Sequence, residues 1–175
     1  MEATETGEEE VLMGGIVVDL RKNRLIDRGV YAKVFDVEGR AYKLFLRVDG
    51  VPPKQTVAGR RSTFLAQCEA YERASLDFFL KDHVATYFGP CAVDNVIGDG
   101  ISIKECFLLD CCYAIEILDG KETKFPTNYV GSYSHLADAV RRFKNLGIDL
   151  TDSSAFNIDD PLRFKFIDFE MSVVV

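Results

Sequence analysis

The sequence predicts an α+β domain in which a mainly antiparallel sheet is covered by one long helix and followed by a smaller mixed segment. Three observations predict it. Short runs of β-branched, aromatic and aliphatic residues recur through residues 16–47, broken by turn signals. The stretch 60–81 then carries no glycine or proline and spaces apolar side chains three and four apart. Strand-like runs return after it and end in a hairpin. With 175 residues, 47% of them hydrophobic and 28% charged, the composition is that of an ordinary globular chain near the size of one domain. We therefore expect a single domain over 16–175, preceded by an acidic tail over 1–15.

In chain order, 16–20, 24–26, 31–37 and 41–47 read as short strands of an antiparallel meander, with Glu38-Gly39 marking a tight turn between the last two. Consecutive prolines make 51–55 a loop. On the helix over 60–81, Phe64, Leu65, Cys68, Tyr71, Leu76 and Phe79 form the stripe expected to cover the sheet. Strand patterns resume at 84–88, 101–104, 106–109 and 112–118, and Asp119-Gly120 closes the last of them. A second helix over 134–145 is expected to stop at Gly147, with Arg141, Arg142 and Lys144 in its last turns as the helix dipole prefers. A hairpin with arms 155–158 and 163–169 turns through Asp159-Asp160-Pro161.

Several function classes are excluded at this level. Acidic residues outnumber basic ones 28 to 21, giving a net charge of −7, and no basic pair extends into the stripe a nucleic-acid binder needs. No apolar run approaches the roughly 20 residues of a membrane span. Residues 1–15 contain Glu2, Glu5, Glu8, Glu9 and Glu10 with no Lys or Arg, unlike the basic start of a signal peptide. The five cysteines, with no CxxC pair, read as reduced thiols of a cytosolic protein.

Five polar features stand in a particular order on this scaffold. Gly29 lies in the turn Asp27-Arg28-Gly29-Val30-Tyr31-Ala32-Lys33-Val34, and Lys43 follows in Ala41-Tyr42-Lys43. Glu69 lies on the long helix, with Glu72 as the alternative. Asp152 and Asn157 stand in Asp-x-x-x-x-Asn spacing, and Asp168 lies in Phe166-Ile167-Asp168-Phe169-Glu170. Taken singly, each has a plain reading: a hairpin turn, a solvated strand lysine, an exposed helix charge, a turn cap, a buried ion-pair member. Taken in order, they resemble the protein-kinase-like superfamily from about Leu25 to Glu170.

That resemblance implies a minimal kinase-like fold, with an N-lobe at about 16–118 and a reduced C-lobe at about 119–175. It implies ATP held beneath Gly29, Ala32 and Val34, with Ala41 and the backbone of Glu116 and Leu118 along the adenine. Lys43, fixed by Glu69, would meet the phosphates, Asp152 would orient the acceptor hydroxyl, and Asn157 and Asp168 would hold Mg²⁺. Leu150-Thr151 replaces the His-Arg pair, Ser154 the catalytic-loop lysine, and Glu170 the glycine after Asp-Phe. The chain runs only five residues beyond Glu170, a truncation similar to the short effector kinases that bacteria deliver into host cells. The resemblance thus implies a Ser/Thr protein kinase acting on a host protein, a chaperone such as Hsp90 or the ubiquitin machinery, in a cytoplasm that includes the host cytosol after secretion. Two alternatives stay open: a pseudokinase that binds a partner, and a small-molecule phosphotransferase.

Overall fold

The computed structural model describes residues 15–47, 56–124 and 133–171. Residues 1–14 of the expected acidic tail and the expected proline loop at 51–55 lie outside the described residues. Among the described residues the chain is mixed α+β, with mostly antiparallel sheets and two α-helices.

The central sheet has five antiparallel strands in the order β2-β3-β4-β8-β5: β2 Leu25–Arg28, β3 Ala32–Val37, β4 Arg40–Leu46, β5 Tyr87–Cys91 and β8 Phe107–Glu116. Glu38 and Gly39, at φ of 51° and 80°, make the two-residue turn between β3 and β4, and the Asp36 carboxylate accepts the Gly39 amide at 3.1 Å. Both faces are buried along the inner strands β3, β4 and β8, which explains why β8 reads as an almost continuous apolar run. Leu108, Cys111, Tyr113 and Ile115 face one core, while Phe107 and Cys112 face another. The expected strands 106–109 and 112–118 fall on one strand, in which Asp110 points outward where the pairing to β4 steps irregularly from Leu44↔Cys112 to Leu46↔Phe107.

The N-terminal strand departs from the expected meander. β1 Ile16–Asp19 pairs parallel with β6 Val93–Gly98, a strand the sequence pattern did not mark, and β7 Ile101–Ser102 completes this small sheet. Val18, Val93 and Val96 pack it against Phe35, Val37, Leu44 and Phe107 on the back of the central sheet. The expected strand at 84–88 shifts to 87–91. Val84 instead makes an isolated bridge to Phe166, and the Phe166 amide donates to His83 O at 2.8 Å.

Helix α1, Val57–Leu76, lies on the other face. Thr56 caps it by accepting the Gly59 amide at 3.0 Å, a contact worth about 1 kcal/mol. It ends five residues earlier than expected because the Asp77 carboxylate accepts the Phe79 and Leu80 amides, each at 2.9 Å, and so starts a separate 3₁₀ turn over Leu80–Asp82. Arg142 of the second helix holds the other Asp77 oxygen at 3.3 Å. Phe64, Cys68 and Tyr71 are buried, but Leu65 and Leu76 are 63% and 87% exposed. At 100° per residue these two lie about 100° and 120° around the helix from Phe64, off the buried stripe.

The rest of the chain builds on the end of α1. Helix α2, Leu136–Asn145, buries Leu136, Ala139 and Phe143 and stops at Gly147, whose φ is 72°. Strands β11 Ser154–Phe156 and β12 Lys165–Ile167 form the expected hairpin, and β9 Glu122–Lys124 adds a third strand beside β11. Strands β10 Ile148–Asp149 and β13 Glu170–Met171 pair separately.

Candidate functional site

A cleft of about 680 Å³ opens between the central sheet and the segment 149–153. Its roof is the β2–β3 turn, from Asp27 to Ala32. The Gly29 amide donates to Ala32 O at 2.9 Å, and a Cβ on Gly29 would lie 3.1 Å from that same oxygen, so the tight turn favours glycine. Val34 of β3, Lys43 and Phe45 of β4, and Thr63 and Gln67 of α1 form one wall, and Asp149, Thr151, Asp152 and Ser153 form the other. Lys124, at the end of β9, and Asp168 complete the lining.

Lys43 and Asp168 make the central contact. The Lys43 ammonium donates to Asp168 Oδ1 at 2.9 Å, with the two side chains 15% and 23% exposed. Burial alone would pull the Lys43 ammonium down, but the charge of Asp168 and its hydrogen bond outweigh this, and the net direction is up. Asp168 sits at φ 58°, in the left-handed region that carboxylate and amide residues tolerate better than most. Its backbone amide donates to the Tyr71 hydroxyl at 3.4 Å. Tyr71 itself is buried among Phe169, Tyr87 and Tyr113, with ring centroids 4.5, 5.3 and 5.5 Å away. Burial pushes its hydroxyl well above the usual phenol range.

The structure brings Gly29, Ala32, Val34, Lys43, Asp152 and Asp168 into this one cleft. It does not bring the other sequence-derived candidates there. Glu69 is exposed and pairs with Arg73 one turn on, and Glu72 is exposed as well. On the helix, Glu69 lies about 140° from Phe64, so a helix that buries Phe64 and Tyr71 turns Glu69 away from Lys43. Gln67 and Tyr71 occupy the facing positions. Gln67 accepts a hydrogen bond from the Tyr113 hydroxyl at 2.9 Å.

Asn157 is displaced for a reason of register. The pairs Ser154↔Ile167 and Phe156↔Lys165 place Ser153 at the Asp168 end of the hairpin and Asn157 at the opposite end, about 13 Å along the strand. There its side-chain amide donates to Asp119 O at 3.0 Å, and it lines a separate cavity of about 160 Å³ with Lys121, Asp159 and Arg163. Ala41, Glu116 and Leu118 are not among the cleft-lining residues. Ala41 is buried in the main core, and Leu118 packs against it. The Glu116 carboxylate is taken by Lys165 and by the Thr86 amide and hydroxyl, and its own amide donates to Thr86 O at 2.9 Å.

Asp149, Ser153, Gln67 and Lys124 are cleft residues that motif reasoning passed over. Asp149 had a legible signal: it follows Gly147, where a helix must stop, and alternates with the apolar Ile148 and Leu150. Its Oδ1 accepts the Thr151 amide at 2.8 Å and the Thr151 hydroxyl at 2.5 Å. Among the described residues, by contrast, the Asp152 carboxylate has no hydrogen-bond or ion-pair partner, and it is exposed at the cleft.

The donor set suits a hard cation only in part. Among the described residues no three His, Cys, Asp or Glu side chains stand close enough to hold a metal ion by themselves. Mg²⁺, however, is commonly held by one or two carboxylates together with substrate phosphates and waters, and Asp149 and Asp168 offer such oxygens in one cleft. A buried lysine fixed by a carboxylate can hold an anionic group, and an uncommitted carboxylate across from it can accept a proton from a hydroxyl.

The sequence matches no model of a known protein family, and comparison with curated proteins finds no relative. Among the described residues no helix is long and apolar enough to cross a membrane.

Proposed function

We propose that this chain is a minimal protein-kinase-like domain that binds Mg-ATP and transfers the terminal phosphoryl group to a Ser or Thr hydroxyl of another protein. The observation that carries the reading is the Lys43–Asp168 pair, half-buried beneath the Gly29 turn and sharing the cleft with the exposed carboxylate of Asp152. A five-stranded antiparallel sheet backed by one helix, with a hairpin delivering Asp168, supports the same reading.

In this mechanism the roof turn covers the nucleotide and Lys43 neutralises phosphate oxygens. Asp168 and Asp149 would hold Mg²⁺, which would supply charge neutralisation at the phosphates. Asp152 accepts the acceptor's proton as the hydroxyl oxygen forms its bond to the γ-phosphorus. The bond from that phosphorus to the β,γ-bridging oxygen breaks, and the electron pair leaves with ADP. The rate enhancement comes from positioning and charge stabilisation.

A second reading, a pseudokinase that binds nucleotide or a partner without turnover, is favoured by two observations: Asn157 lies in a different cavity, and Gln67 rather than a carboxylate faces the cleft from α1. The experiment that separates them incubates the chain, and Asp168→Asn, with γ-labelled ATP and Mg²⁺ in a eukaryotic lysate. Label in a discrete protein band, lost with Asp168→Asn while that variant keeps its circular dichroism spectrum, is the expected result. Equal labelling by the variant overturns the mechanism. Nucleotide binding with no transfer selects the pseudokinase.

A further inference from the structure

We propose that Lys124 is a further catalytic residue, whose ammonium meets the terminal phosphate on the acceptor side of the cleft. The inference rests on the nucleotide reading above. In phosphoryl transfer, charge is spread over the γ-oxygens, and each cation placed there stabilises the transition state. The segment that would flank these oxygens, 149–153, contains no lysine or arginine. Lys43 is already committed to Asp168 at 2.9 Å. Among the described residues that line the cleft, four are carboxylates (Asp27, Asp149, Asp152 and Asp168) and the one other cation is Lys124.

The position of Lys124 is fixed by two strand registers rather than by a loop. Lys124 pairs with Ser154, and Ser154 pairs with Ile167, so the three form one row across β9, β11 and β12. The next residues toward the cleft are Ser153 and Asp168. Two strand spacings put the Lys124 backbone about 10 Å from that of Ile167, a gap that the four-carbon stem of a lysine spans in large part. The Lys124 side chain is 74% exposed, and its contact with Glu122 at 3.8 Å is a surface pair of little strength, so among the described residues no strong contact holds it away from the cleft. Asp152, on the same side, would receive the acceptor proton while Lys124 offsets the charge on the group being transferred.

A contact to the terminal phosphate alone separates ATP from ADP. The experiment measures dissociation constants for Mg-ATP and Mg-ADP by calorimetry with the unaltered chain, Lys124→Ala, Lys124→Arg and the control Lys121→Ala, whose side chain lines the separate small cavity. Lys124→Ala is expected to weaken Mg-ATP about tenfold, the size of one charge-assisted hydrogen bond, and to leave Mg-ADP within about twofold. Lys124→Arg should restore most of the ATP affinity, Lys121→Ala should change neither, and kcat for transfer should fall with Lys124→Ala. If ATP and ADP weaken equally, or neither weakens, while the unaltered chain binds both, the assignment of Lys124 is overturned and the nucleotide reading stands. If the unaltered chain binds neither nucleotide, both fall together.

Discussion

The Lys43–Asp168 pair can be broken from either side, and the two breaks should not add. At 2.9 Å and an effective dielectric of about 20, two unit charges attract by about 6 kcal/mol before desolvation is charged against them. Both side chains retain some solvent contact, at 15% and 23% exposure, so the net coupling should lie nearer 2–3 kcal/mol, below the roughly 3–5 kcal/mol for removing one partner of a fully buried pair. Asp168→Asn is the right replacement, because asparagine also tolerates the φ of 58° and the change then isolates charge from backbone strain. With Lys43→Met as the second arm, equilibrium urea unfolding of both single variants and the double gives the coupling energy. We expect each single variant to lose about 2–3 kcal/mol and the double to lose less than their sum by about 2 kcal/mol. Because the Lys43 pKa is raised on folding, its stabilisation is fully present below its ordinary value near 10.5 and is lost only as pH climbs above that through the folded value. The pair should therefore contribute equally from acid-neutral to mildly alkaline pH as far as Lys43 is concerned. A coupling below about 0.5 kcal/mol would show the pair to be incidental.

Other variants probe the geometry around this pair. Glu69→Gln should change stability by less than about 0.5 kcal/mol and leave nucleotide affinity within about twofold, since Glu69 is an exposed partner of Arg73; a loss as large as that of Lys43→Met would restore it as the partner of Lys43. Glu116 is pushed up by burial but lowered further by the Lys165 hydrogen bond and by Thr86, for a net direction below its ordinary 4.5. Its stabilisation is thus present above that value and lost as pH falls through the lower folded one. Urea midpoints taken from about pH 6 to about pH 3 should fall more for the unaltered chain than for Glu116→Gln, and parallel curves would contradict the network. The Cys91 thiol is lowered by the Cys112 hydrogen bond and the Ala114 amide, whereas burial raises Cys68 and Cys111. Peptide mapping after brief iodoacetamide treatment at neutral pH should find Cys91 modified before either, and the reverse order would reject this assignment.

Much of the fold is written in local patterns. The glycine turn at 38–39, the stop at Gly147 and the terminal hairpin all depend on residues close in sequence. What escaped the sequence depends on distant partners. Strand β1 has no short-range signal for joining β6, some 75 residues on, in a parallel pairing. Strand β8 looked like two strands because Asp110 interrupts its apolar run, yet that residue points outward to Arg61. Helix α1 looked longer because nothing in the apolar spacing reveals that the Asp77 carboxylate will start a new turn.

The site divides the same way. Lys43 and Asp168 each follow from a strand pattern with one polar residue among apolar ones. Glu69 illustrates a conflict already present in the sequence, since a helical wheel that buries Phe64, Cys68 and Tyr71 cannot also face Glu69 to the sheet. Asn157 illustrates one that was not, because the Asp-x-x-x-x-Asn spacing carries no information about where β11 begins. Once β11 takes Ser154 to Phe156, the cleft receives Asp149, Asp152 and Ser153 in its place.

In the proposed mechanism Lys43 faces the phosphates of a bound nucleotide. An acyl-phosphate derivative of ATP, which acylates lysines lying against its phosphate chain, tests this directly when the labelled peptides are mapped by mass spectrometry. Label is expected on Lys43, abolished by excess Mg-ATP and strongly reduced in Asp168→Asn. Label spread over surface lysines such as Lys22 and Lys81, indifferent to competing ATP, would contradict it.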